Sequence, residues 1–152
     1  MGSMPTKWLT PPEMAAWREF IETYADLITA LERDLAAHDM TLGDYQVLVY
    51  LSEAEDHSMR MCDLADLLQL SPSGLTRRLD GLVQTGYVSR EASTADRRVM
   101  KAQLTPAGHQ ALRETAPHHV ASVRRHVFDL LDTDQVDAMT GIFAAIGAGL
   151  SA

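Results

Sequence analysis

A long apolar stripe sets the first constraint on this chain. Met14, Trp17, Ile21, Tyr24, Ile28, Leu31 and Leu35 follow one another at alternating intervals of three and four residues, with Phe20 and Leu27 widening the band. Such spacing lays one apolar face along a helix of about seven turns. Its start is marked as well: Thr10 can cap with its hydroxyl, Pro11 suits a first turn, and Glu13 stands where a capping box places a carboxylate. A face this long needs a long partner, and only the far end of the chain offers one. Leu112, Ala116, Val120, Val123, Val127 and Leu130 form a second stripe; Val136, Met139, Phe143, Ile146 and Leu150 form a third behind the capping candidates Asp132 and Thr133. The first and last helices are therefore expected to pack together. Their combined apolar surface exceeds what one antiparallel pair covers, which favours a homodimer; a monomeric bundle is the alternative the stripes leave open. Pro117 falls inside the second stripe, where it removes a hydrogen bond and is expected to kink or divide the helix.

Between these long elements the pattern shortens. Thr41-Leu42-Gly43-Asp44 opens a helix carrying Tyr45, Leu48, Val49 and Leu51, and the polar stretch Ser52 to Ser58 ends it. Met61, Leu64, Ala65, Leu67 and Leu68 predict a short amphipathic helix, separated from Ser71 only by Gln69-Leu70. Ser71-Pro72 is a second cap-plus-proline start, for a helix with Leu75, Leu79, Leu82 and Val83 inward and Gly86 as its stop. After Gly86 the period changes from 3.6 to 2. Tyr87 to Ala92 and Val99 to Leu104 predict two strands joined by Ser93-Thr94-Ala95-Asp96-Arg97-Arg98, a hairpin with a basic tip. Thr105-Pro106 then caps the next helix.

With 152 residues the chain has the length of one ordinary domain, and its single cysteine excludes an internal disulfide or a four-thiolate zinc site. A reducing, cytoplasmic setting fits this usage. No apolar run reaches the length of a membrane span, no basic-then-apolar leader announces secretion, and Met1-Gly2-Ser3 before Met4 reads as a cloning remnant. The formal charge of −8 argues against nucleic acid until it is located. From Arg60 to Thr105 there are seven basic and five acidic residues, net +2, while the remainder carries six basic and sixteen acidic, net −10.

Helix, short turn, helix and hairpin, in that order, make a winged helix-turn-helix, in which the second helix enters a major groove and the hairpin reaches the flanking backbone or minor groove. That second helix carries Ser73, Thr76, Arg77 and Asp80 away from its leucine stripe, with Arg78 beside them. Hydroxyls and free amides near a helix start suit phosphate, and arginine can pair with guanine O6 and N7.

Leu64-Ala65, the run Leu70 to Arg77, Leu79-Asp80-Gly81-Leu82, Gly86-Tyr87-Val88 and, above all, Asp96-Arg97-Arg98 followed by Leu104-Thr105-Pro106-Ala107-Gly108 resemble the MarR family of bacterial transcriptional regulators. The resemblance runs over nearly the whole chain. It implies a mostly α fold with a small β-hairpin wing: one MarR-like domain over 1–152, a winged helix-turn-helix DNA-binding module at 41–105, and dimerisation helices at 10–38 and 106–150. It further implies a homodimer that binds a pseudo-palindromic double-stranded operator, usually as a repressor, and is released by a small, often aromatic or phenolic, effector. By position, Arg98 resembles the wing arginine that enters the minor groove, Asp96 the carboxylate that orients it, and Arg97 a phosphate contact. Ser71, Ser73, Thr76, Arg77 and Arg78 correspond to the start of the recognition helix.

Other chemistries have weaker support. Ser71-Pro72-Ser73-Gly74 is not a Gly-x-Ser-x-Gly elbow and no phosphate-cradling glycine motif occurs, so no enzyme and no cofactor are expected. His38, His57, His109, His118, His119 and His126 include no pair three or four apart on one helix, so no metal site is expected. Cys62, at a helix start, reads as a small buried filler ahead of a redox switch. A winged helix used as a protein adaptor would lack a reason for the basic tip. Trp17, Tyr24, His38 and Tyr45 lie on segments that can approach an effector cleft, although aromatics at this spacing are more commonly core.

Overall fold

Every long helix begins where a side-chain oxygen satisfies its free amides. The computed structural model describes residues 6–151; Met1-Gly2-Ser3, expected to be a cloning remnant, lies outside them. Thr10 and Glu13 form a reciprocal capping box for α1 (Pro11–Ala36), with the Thr10 amide donating to Glu13 Oε2 at 2.7 Å. Thr41 and Asp44 do the same for α2 (Leu42–Glu53). Ser71 Oγ accepts from the Gly74 amide at 3.1 Å to open α4 (Pro72–Gln84), which follows α3 (Met61–Leu68). Thr105 caps α5 (Pro106–His126), and Asp132 with Gln135 caps α6 (Thr133–Leu150). Among the described residues no helix is long and apolar enough to cross a membrane.

The strands are β1 (Ser58–Arg60), β2 (Val88–Ala92) and β3 (Met100–Leu104), antiparallel in the order β1-β3-β2. The two-stranded hairpin expected from the sequence is thus the larger part of a three-stranded sheet. Ser58↔Gln103 and Arg60↔Lys101 tie β1 to a strand far along the chain, and three residues are too few to show a period of 2. The 3-10 turn Glu55–His57 leads into β1, and the Gln103 side-chain amide donates to the Asp56 carbonyl at 2.8 Å.

Val47, Leu48, Leu51, Leu64, Leu75, Leu79, Val88, Ala102 and Leu104 close one core beneath α2, α3, α4 and the sheet. Leu35 and Leu112 anchor the long helices α1 and α5 to it. The turn between α3 and α4 works because Gln69 adopts the left-handed region (φ 53) and its amide returns to the end of α3. Gly108 must be glycine-sized, since a Cβ there would overlap the Tyr87 carbonyl and push α5 off the turn after α4. Thr105 Oγ1 donates to the Gly86 carbonyl at 2.6 Å across the same junction.

The long helices pack less completely. In α1 only Leu31 and Leu35 are buried, and in α6 nothing is. The first and last helices do meet, with Phe20 and Phe143 ring centroids 6.0 Å apart. A polar knot joins α1 to α5: Asp34 Oδ2 accepts from Ser122 Oγ and Arg125 Nη2, each at 2.6 Å, and lies 2.9 Å from His126 Nε2. The Ser122 hydroxyl first, then His126 and Arg125, hold the Asp34 carboxyl at about 2, below its ordinary 3.8. Pro117 neither divides nor ends α5, which is helical from Pro106 to His126. Its ring faces solvent, where water can serve the carbonyl one turn back. The break falls later, at Val127 (φ −130, ψ −73), so that Val127 and Leu130 leave the α-helical stripe for a cap and a 3-10 turn, Phe128–Leu130.

Candidate nucleic-acid interface

The exposed side of α4 begins at its capped end. Ser71 Oγ lies 3.2 Å from Ser73 Oγ, and Thr76 Oγ1 donates back to the Pro72 carbonyl at 3.0 Å. Thr76 and Arg77 face solvent on the side opposite Leu75, Leu79 and Leu82. Arg77 and Arg78 line a cleft against the N-terminus of α2, together with Thr41, Asp44, Gly74 and Gly81. Arg78 is turned inward across that cleft. Its Nη1 donates to Thr41 Oγ1 at 3.0 Å and pairs with Asp44 Oδ1 at 3.5 Å, and its guanidinium occupies the space that any Cβ on Gly43 would need. Arg78 therefore locks α4 to the cap of α2, while Ser71, Ser73, Thr76 and Arg77 share the open face.

At the hairpin tip, the Arg98 amide and Arg98 Nε both donate to Asp96 Oδ1, at 3.0 and 3.2 Å. Those two bonds, amide first, hold the Asp96 carboxyl below its ordinary range, and the Arg60 guanidinium adds attraction. The Arg98 side chain is nevertheless 91% exposed. It is tethered at one nitrogen and open at the others. Arg97 is exposed beside it, and the Ser93 amide closes the loop onto the Val99 carbonyl at 2.7 Å.

One residue escaped the sequence reading. Arg90, on β2, sends Nη2 to both the Thr76 carbonyl (2.9 Å) and Asp80 Oδ1 (2.7 Å), joining the wing to α4. Its signal in the sequence was a charge at an inward position, two residues from buried Val88.

Comparison with known proteins agrees with this geometry. A MarR family model matches residues 38–99. AbsC, a MarR family transcriptional regulator from Streptomyces coelicolor, is 40% identical, with a TM-score of 0.91 over 96% of this chain and 99% of that one. Sco3205, a second such regulator from the same organism, solved in complex with DNA, is 34% identical with a TM-score of 0.92 over 99% and 94%. The chain belongs to the MarR family. A curated relative, the HTH-type transcriptional repressor YetL of Bacillus subtilis, is 30% identical over 61% of this chain; this chain spans 56% of YetL's length.

The remaining candidates of this MarR-family chain are dispersed. Among the described residues no group of three or more His, Cys, Asp or Glu could hold a metal ion. His118 and His119 diverge as adjacent helical residues must: His118 stacks on His38 and His119 lies against Tyr45, each at 4.3 Å between centroids. Burial lowers the pKa of His119 and raises that of Tyr45. Cys62 is exposed, with Sγ 3.6 Å from Asp63 Oδ1, which corrects the buried-filler expectation; the first turn of α3 turns Leu64 and Ala65 inward instead. Of the aromatics expected near an effector cleft, His38 and Tyr45 are engaged by histidines. Trp17 is 54% exposed, and Tyr24 lines an apolar cavity of about 420 Å³ with Phe20, Leu27, Leu130, Met139 and Phe143.

Proposed function

We propose that this MarR-family regulator acts as a homodimeric, sequence-specific repressor, without enzymatic activity, that binds a pseudo-palindromic operator in the cytoplasm and is released by a small apolar or aromatic effector. The observation that carries the DNA contact is the wing tip: an arginine pre-set by Asp96, almost wholly in solvent, on the same lobe as the open face of α4. A guanidinium so held loses little freedom when it enters a narrow, strongly negative minor groove. In this reading residues 41–105 form the DNA-binding module. Ser71, Ser73, Thr76 and Arg77 meet phosphates and base edges, Arg97 and Arg98 meet the flanking groove, and Asp96 and Arg78 hold them in place. The DNA-bound relative Sco3205 supports a DNA partner, and the repressor YetL supports repression.

Support for the homodimer comes from Trp17, Phe20, Ile21 and Tyr24 of α1 and Ile142, Phe143 and Ile146 of α6, all more than 40% exposed on one chain. A monomer seldom leaves a contiguous apolar surface of that extent in water. The cavity bounded by Phe20, Tyr24 and Phe143 has the size and lining of a small-molecule site, which supports an effector of that character.

Selection of bound duplexes from a randomised pool tests the whole reading. It is expected to return a near-palindrome of roughly 20 base pairs with half-sites about one helical turn apart. Recovery of no common sequence, at low salt included, would contradict it.

A further inference from the structure

We infer that Arg90 is a positioning residue for DNA binding: by bridging the Thr76 carbonyl and the Asp80 carboxylate of α4, it sets where the wing arginines stand relative to the recognition helix. This rests on the proposed reading that the wing touches DNA. On one face of the hairpin lie Val88, Arg90 and Ala92 of β2 and, in register, Leu104, Ala102 and Met100 of β3. Val88, Ala102 and Leu104 are buried, whereas Ala92 and Met100 are exposed. Arg90, paired with Ala102, is thus the last rung on the β2 side held against α4. Beyond it the hairpin projects to Arg97 and Arg98 with no further hydrogen bond to α4 among the described residues, while Arg60 of β1 pairs with Lys101 of β3 and its guanidinium attracts Asp96.

That projection makes the rung a pivot. The tip lies about five residues out, at most about 17 Å at about 3.3 Å per residue. A swing of about 10° at Arg90 would move the tip by up to about 3 Å, against a tolerance on the order of 0.5 Å for a productive contact. The β3 side is secured through β1, which leads directly into α3. On the β2 side, Arg90 supplies the polar link to α4. Its Nη2 makes both bonds, and its Nε is sealed from solvent with no protein acceptor, so the guanidinium is wedged between strand and helix. Arg90 also covers a charge. Asp80 is 60% exposed on α4, where a bare carboxylate would repel phosphate. With its Asp80 end open to water the pair adds little to stability, so its loss is expected to act on binding geometry more than on folding.

A double-mutant cycle on the duplex that the parent protein selects from a randomised pool tests this. In the parent, R98A is expected to weaken binding about tenfold; in an R90Q background the same change is expected to cost less than about threefold, because the tip is already misplaced. Hydroxyl-radical footprints of R90Q should lose the flanking protection from the wing and keep the central protection from α4, whereas a merely unstable lobe would lose both together. Should R90Q fail to give a cooperative melt, D80N carries the cycle. Charge removal alone predicts tighter binding and an unchanged R98A penalty for D80N, while positioning through Arg90 predicts a smaller R98A penalty. An R98A penalty equal in all backgrounds would overturn the inference alone. A parent indifferent to R98A would overturn the wing reading and this inference with it.

Discussion

The two ends of this molecule are finished to different degrees. In the DNA-binding lobe, Val47, Leu48, Leu51, Leu64 and Leu79 have no exposed surface, and strands, turns and caps interlock around them. In the terminal helices the apolar stripes are as regular, yet Leu150 is 84% exposed, Val120 55% and Ile146 51%. Equal hydrophobic periodicity therefore produces a closed core in one region and an open face in the other. The difference lies in what is available to cover each stripe. Short helices and a sheet surround the lobe leucines, while α1, α5 and α6 reach past the lobe and find only one another. The lobe closes on itself; the helical end keeps an apolar face that the proposed second copy would cover.

The comparison breaks first at the lobe. Leu48→Ala is expected to destabilise by about 2–5 kcal/mol, since it opens a cavity in a fully closed core, and chemical denaturation should show the same loss at every protein concentration. A concentration-dependent loss would mean that the lobe, too, relies on a partner. Next in size comes the helical end. Ile146→Asp should leave far-ultraviolet circular dichroism intact while shifting the protein to monomer in sedimentation equilibrium, through the loss of about 1.5–3 kcal/mol of apolar burial per site. An unchanged oligomeric state would place the interface elsewhere.

Smaller effects sharpen the DNA side. Arg77→Ala should cost about 1–3 kcal/mol at one operator position if the contact is bidentate to guanine; a uniform loss across all positions would make Arg77 a phosphate contact. Arg98→Ala should reduce the slope of log affinity against log salt by about 1, read by fluorescence anisotropy over a salt series.

The smallest expected effect is on pH dependence. His119 is half-buried against Tyr45 with its pKa lowered by desolvation, so the unfolded chain binds its proton more readily than the folded one. Stability from this site is present above the ordinary histidine value of about 6.5 and is lost as the pH falls through the folded value. His119→Phe, which keeps a ring and removes the titration, should flatten the melting-temperature profile between about pH 7 and pH 5. Asp34 acts in the same direction lower down, its stabilising contribution fading as the pH drops from 3.8 toward about 2.

The legible features were the local ones. Thr10, Thr41, Ser71, Thr105 and Asp132 announce helix starts because a capping oxygen and the amide it accepts are three residues apart. The change to a period of 2 after Gly86 located the hairpin, family resemblance gave Asp96, Arg97 and Arg98 their roles, and the Asp96–Arg98 pair closes over two residues. What escaped is non-local. β1 exists only because Ser58 meets Gln103. Arg78 looks like a surface charge and Arg90 stands at an inward strand position; one turns to Asp44, 34 residues away, and the other to Asp80 on the neighbouring helix. The first bond spans more than any window of periodicity; the second lies within one but crosses from helix to strand, where the period changes and gives no sign of which charge meets which. Pro117 misled because its effect depends on whether water reaches the carbonyl it leaves free, a property of the packed helix.

Sedimentation equilibrium of the full chain, alone and with the duplex it selects, tests the central claim most directly. The account predicts a particle of twice the chain mass alone and two chains per duplex. A single chain in both conditions, with binding to the duplex retained, would contradict it.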